Sequence, residues 1–308
     1  MGDIAGLGKG VEKLIDAVSK AIGVMYEPHR IRRQGDALAY KESAIAKAKS
    51  DSKANEITLI TKVKVEAFEK ISESKHTIQE RIAAKNEYKE YRKQLNLEKV
   101  IEHGLNNVEE NVSEEQVDDD WISKLTNYAE SASTEKMQKL WGKVLAGEVT
   151  TPGSFSLKSL DILKNMTQQE ADAFQSACSI ASTFEGFNQK ILINGYTSIS
   201  MLSVLPTFRH EFELHSYLSL PYLFALQAIG LIHNETLIYG NASYGETVTI
   251  YNNDATINAT CKRKSIGMLT LKFTEAGNEL SRLIPASLND DYINELKASL
   301  AKGFKLEQ

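Results

Sequence analysis

The chain has 308 residues, 42% of them hydrophobic and 25% charged, with a formal net charge of −5. That profile fits about two ordinary globular domains and argues against a disordered or generally nucleic-acid-binding protein. No run of 18 apolar residues offers a bilayer-spanning helix and no secretory leader is read, while Cys178 and Cys261, far apart and outside any C-x-x-C, are expected to be buried reduced thiols of a cytosolic protein.

Residues 3–26 predict an amphipathic helix. Leu7, Val11, Leu14, Ile15, Val18, Ile22 and Met25 fall on one face, and Lys9, Glu12, Lys13, Asp16 and Lys20 on the other. Such a helix either lies in a membrane interface or packs on a partner helix or its own core. Tyr26, Glu27 and Pro28 end it. Arg30, Arg32 and Arg33, next to His29, form a basic cluster suited to lipid headgroups, or to plain solvation.

From Pro28 to about residue 108 the chain is rich in Ala, Lys, Glu and Leu, and residues 36–103 lack glycine. A single helix of about 75 residues would reach about 110 Å, with a weak point near residues 50–55. Ile60, Val63, Ala67, Ile71, Ser74, Ile78 and Ile82 step by three or four, so Ile60, Ile71 and Ile82 repeat in register every eleven residues. A narrow apolar stripe on a long charged helix needs a neighbour. Ile60, Val63, Ile71, Ile78 and Ile82 are therefore expected to self-associate, the alternative being an antiparallel hairpin within one chain.

Residues 106–117 are acidic and read as a hinge. Ser113 with Gln116 has the spacing of a capping box, and Asp118, Asp119 and Asp120 favour a helix start. Trp121, Ile122, Leu125 and Tyr128 give that helix one apolar face. Ser133 and Thr134 cap the next, with Met137, Leu140, Trp141, Val144 and Leu145 as its stripe and Gly147 at its end. Thr151, Pro152 and Gly153 break the chain. Ser154 or Ser156 opens a short helix through Leu157, Leu160, Ile162 and Leu163, and Thr167 with Glu170 forms a second capping box before Ala171, Phe174, Ala177 and Ile180. Trp121 and Trp141 read as core anchors.

The run LWGKVLAGEVTTPGSFSLKSLDILKNMTQQEADAF, after the acidic element Asp118, Asp119, Asp120, Trp121, Ile122, resembles the diagnostic block of a bacterial family, domain of unknown function 2806. The resemblance takes in the preceding long helix and, more weakly, the C-terminal third. More distantly, the helix–break–helix pattern of residues 140–163 is similar to the abortive-infection alpha family of phage-resistance proteins. Neither resemblance carries catalytic residues onto this chain.

After Ser182 strands take over, at residues 187–193 and 209–214. Ser219 caps a helix with Pro221 in its first turn, running through Leu223, Leu226 and Ile229 to Gly230. Short strands follow at 231–233 and 236–239, a turn at 241–245, and strands at 247–251, 255–261 and 268–273. Thr274 caps a closing helix ended by Pro285, and residues 290–304 predict a last amphipathic helix. A helix, a hairpin and an L-T-x-x-G-x-x-L-like exit resemble the wing and exit helix of winged-helix domains. Lys262, Arg263 and Lys264 lie near that hairpin and are candidates for phosphate contact or a solvated turn.

Catalytic signatures are missing. The six histidines make no H-x-x-x-H or H-E-x-x-H pair, Gly6, Gly8 and Gly10 follow no strand and lack G-K-[ST], and no G-x-S-x-G occurs. His210 and His215 read as structural. The expected protein is mainly α with an α+β C-terminal part: an amphipathic helix (1–27), a long coiled-coil-like oligomerisation rod (28–110), a small helical domain (111–182) and a winged-helix-like α+β domain (183–308). It is expected to be non-enzymatic, to need no cofactor or metal, and to be cytoplasmic, with peripheral attachment at the inner membrane face as an option. Its expected partners are its own copies, then a membrane surface or a phage or host protein. The resemblance implies an anti-phage role. The alternative is a nucleic-acid-binding regulator with the rod as its dimeriser.

Overall fold

Side-chain caps decide where the helices of this chain begin. The computed structural model describes residues 8–23, 77–198, 209–212, 214–285 and 287–307, in two units, Met1–Gly153 and Ser154–Gln308. It is mainly helical, with an α+β C-terminal region built on an open sheet.

In the first unit, α1 (Lys9–Ile22) stops at Gly23, whose φ of 70° is left-handed. Helix α2 (Ile78–Asn107) opens on a complete capping box between Thr77 and Glu80. Helix α3 (Asp119–Glu130) is capped by Asp118, which accepts the Trp121 N–H, and α4 (Glu135–Thr150) by Thr134, which accepts that of Met137. The box expected at Ser113 does not form. Ser113 Oγ accepts from Glu115 N in a non-helical segment, and Asp118 caps instead because the helix starts where Trp121 and Ile122 can be buried. Nor does α4 end at Gly147. Val149 is wholly buried and Thr150 Oγ1 donates to Ala146 O at 2.8 Å, so one more turn is held in place.

The core of this unit joins Leu14 and Val18 of α1, Val100 and Ile101 of α2, Ile122 and Leu125 of α3, and Trp141, Val144 and Leu145 of α4. Helices α2 and α4 touch through backbone. A Cβ on Gly142 would stand 2.5 Å from His103 Cβ and 2.9 Å from Gly104 N, a distance no side chain tolerates.

In the second unit, α5 (Leu157–Asn165) and α6 (Gln168–Ser179) start at Ser156 and Thr167, and Thr167 shares a capping box with Glu170. The strands are β1 (Ser182–Phe184), β2 (Phe187–Ser198), β3 (Arg209–Glu211), β4 (Ile232–Ser243), β5 (Thr247–Asn252), β6 (Ala255–Cys261), β7 (Ser265–Phe273) and β8 (Phe304–Leu306). Their order is β4-β7-β2-β1-β5-β6-β8, with β3 pairing β2 beyond β1, and the pairings are antiparallel. Helices α7 (Leu220–Ala228), α8 (Glu275–Ser281) and α9 (Asp290–Leu300) complete the unit.

Three expectations change here. The two short strands read at 231–233 and 236–239 are one strand, β4, joined by a register shift between Ile232 and Thr236, and a second shift at Gly240 (φ 64°) lets pairing with β7 resume at Ala242. Only residues 209–211 of the stretch 209–214 are strand, and a 3₁₀ turn follows at Leu214–Ser216. The last helix ends at Leu300, and Phe304 starts β8 against Cys261 of β6. Among the described residues no helix is long and apolar enough to cross a membrane.

Candidate functional site

The buried carboxylates hold loops in place. Glu148 in α4 is 2% exposed and accepts the Gly153 N–H at 2.7 Å, folding the Thr151, Pro152, Gly153 turn back on its own helix. Glu279 in α8 is 6% exposed. It accepts from Ser156 N at 2.7 Å, from Ser156 Oγ at 2.9 Å, and from Ser159 Oγ. Phe155 is buried, and through Ser156 and Ser159 the Glu279 carboxylate holds the start of α5. No group of three or more His, Cys, Asp or Glu is placed to hold a metal ion among the described residues.

Two polar clusters lie in the second unit. Tyr217 donates to Glu295 at 2.6 Å, which raises its phenol to about 12, and its ring meets that of Tyr292 edge-on at 5.4 Å. His210 on β3 faces Tyr196 directly across the strand pair, their rings 5.2 Å apart. Burial, and then Lys302, lower the His210 pKa. Tyr196 is fully buried and its hydroxyl reaches Ser299 O at 3.4 Å. Burial likewise drives the Cys178 thiol up to about 12; Cys178 and Cys261 are both buried and form no disulfide, and Cys261 Sγ donates to Arg263 O at 3.2 Å.

A basic corner is the most distinctive exposed feature of this unit. Three turns meet around Cys261: the β4–β5 turn, whose Gly245 N–H donates to Cys261 O at 2.9 Å; the β6–β7 turn, carrying Lys262, Arg263 and Lys264; and the α9–β8 turn, whose Gly303 O accepts from Lys262 N at 3.1 Å. Lys302 and Lys305 stand on that last turn and its strand, Lys305 opposite Thr260. All five basic side chains are exposed. Among the described residues none of the four lysines forms an ion pair, and Lys262 Nζ donates to Ala301 O at 2.7 Å, closing the end of α9. Gly303 fixes the turn, since a Cβ there would meet the buried Tyr196 ring at 2.7 Å. Sequence reading named Lys262, Arg263 and Lys264. It missed Lys302 and Lys305, because the expected helix to 304 hid the pairing of β8 with β6.

The other candidate residues are dispersed. Of the apolar face of α1, Leu14, Ile15 and Val18 are 0, 4 and 1% exposed in the core with α3 and α4. Val11 and Ile22 are half-buried, and Leu7 and Met25 lie outside the described residues. Arg30, Arg32, Arg33, Ile60, Val63 and Ile71 lie outside them too. Ile78 and Ile82 are 65% and 52% exposed. A cleft between α1 and the start of α3, lined by Lys13, Asp16, Lys20 and Asp119, has a volume of about 30 Å³, room for about one water.

The model of a family described as "Protein of unknown function (DUF2806)" matches residues 80–297. Comparison with curated proteins and with solved structures finds no match.

Proposed function

The chain belongs to the DUF2806 family, and from that premise we propose a non-enzymatic protein that works by self-association, with the outer turns of α2 as its contact with a second copy. The observation that carries this is the contrast along one helix. Residues 78–94 of α2 contain no buried side chain, whereas Asn96, Leu97, Val100, Ile101 and Gly104 are buried. Ile78 and Ile82, one turn apart and mostly exposed, end the stripe of eleven-residue repeat that begins at Ile60. Covering such a side chain is worth about 1.5–3 kcal/mol.

Sedimentation velocity of the full chain and of the Ile78→Glu, Ile82→Glu double variant tests this. The expected result is a species larger than one chain that falls to a monomer in the double variant, with an unchanged far-ultraviolet spectrum. A parent chain that stays monomeric on concentration sinks the reading.

The biological setting proposed for such an assembly is defence against phage, on the resemblance of residues 140–163 to abortive-infection proteins. Loss of plaque suppression in the same double variant would tie that role to self-association. Membrane attachment through α1 forms no part of the proposal, because Leu14, Ile15 and Val18 would first have to leave the core of the first unit.

A further inference from the structure

An exposed aromatic stands beside the basic corner. Tyr244, in the β4–β5 turn, is 76% exposed, and the residue after it donates its N–H to Cys261 O, directly before Lys262. The carboxylate nearest in sequence, Glu246, is occupied by the Ser243 N–H at 2.7 Å. Ser243 and Gly245 flank Tyr244 in the turn, and where β5 begins the hydroxyls of Thr247 and Thr260 bond each other at 2.9 Å. Tyr244 stands in a turn between two strands, not on an amphipathic helix that could lie in a lipid interface. The corner presents turns and no helix to fit a major groove, and a free ring stacks on an unpaired base.

We propose that this corner binds single-stranded nucleic acid, with Lys262, Arg263, Lys264, Lys302 and Lys305 along the phosphates and Tyr244 stacked on a base. The surface combines the two elements that sequence-tolerant single-strand binding needs: a positive track for the backbone and a π face for the bases. The chain's net charge of −5 does not oppose this, because the charges that meet the strand are local and screening confines their reach to about 8–10 Å.

Fluorescence anisotropy of the full chain with a labelled oligothymidylate, its RNA counterpart and the matching duplex provides the test, stepped in salt. The parent chain is expected to bind the single strands more tightly than the duplex, with affinity falling steeply as salt rises. Lys264→Glu, Lys302→Glu, Lys305→Glu leaves Lys262 to close α9 and is expected to flatten the logarithmic salt slope by about 2. Tyr244→Ala is expected to weaken binding about fivefold or more at unchanged salt slope. Thermal melting of each variant separates loss of binding from loss of fold. The proposal is overturned by failure of the parent chain to bind either single strand at low salt, by equal binding of the duplex, or by folded variants that bind as the parent does. Capture by phosphatidylserine–phosphatidylcholine vesicles without oligonucleotide binding would overturn it in favour of lipid headgroups.

Discussion

In residues 141–170 and the groups that answer them, charge is buried and hydrogen-bonded: Glu148 holds Gly153, and Glu279 holds Ser156 and Ser159. Around Cys261 the charged groups Lys264, Lys302 and Lys305 stand in solvent without an ion pair among the described residues. The first region holds the run whose pattern resembles the family in sequence, and the family's model, over residues 80–297, covers it and Lys264 of the second. Density of pattern here marks a packing problem solved with little freedom. A buried carboxylate must find its donors or cost several kcal/mol, so its partners are constrained to one spacing. An exposed cation is constrained by nothing inside the fold, and its position carries information of another kind.

The comparison breaks first at Gly142. Gly142→Ala places a methyl against the backbone of α2, where neither helix can yield alone, and is expected to lower stability by about 3 kcal/mol in a denaturant melt. Next comes Glu279→Ala, which strips Ser156 and Ser159 of their acceptor and is expected to cost about 2–3 kcal/mol, with Glu279→Gln recovering part of it. At the other extreme, the triple lysine-to-glutamate variant at 264, 302 and 305 is expected to change stability by less than about 0.5 kcal/mol. A large loss there would mean that the corner belongs to the core after all.

Much of the helical part was legible in the sequence. Trp121, Leu125, Trp141 and Val144 lie where the 3.6-residue period puts them, and Thr134 in the first unit and Thr167 in the second cap the helices that they were expected to cap. The cap at Asp118 was misplaced to Ser113 because a capping-box spacing is a local signal, while the true start is set by what Trp121 and Ile122 bury. The strands were harder. Ile232–Ser243 of β4 shows almost no alternation because both faces are largely exposed, and Phe304–Leu306 is too short to register as a strand without its partner. The corner depends on that missed strand, so only half of its lysines could be grouped from sequence.

The bond from Ser159 to Glu279 spans 120 residues. During synthesis, the serines that start α5 emerge well before the carboxylate that receives them, by on the order of ten seconds at ordinary elongation rates. The contacts within Met1–Gly153, even one as long in sequence as Lys13 Nζ to Ser113 O, have both partners made well before residue 279. The chain therefore has a natural order of assembly, in which the N-terminal helices settle while the next segment stays provisional, and the arrival of α8 completes it. A ribosome-bound chain stalled before residue 279 should be cut by protease near α5 and spared within α3 and α4.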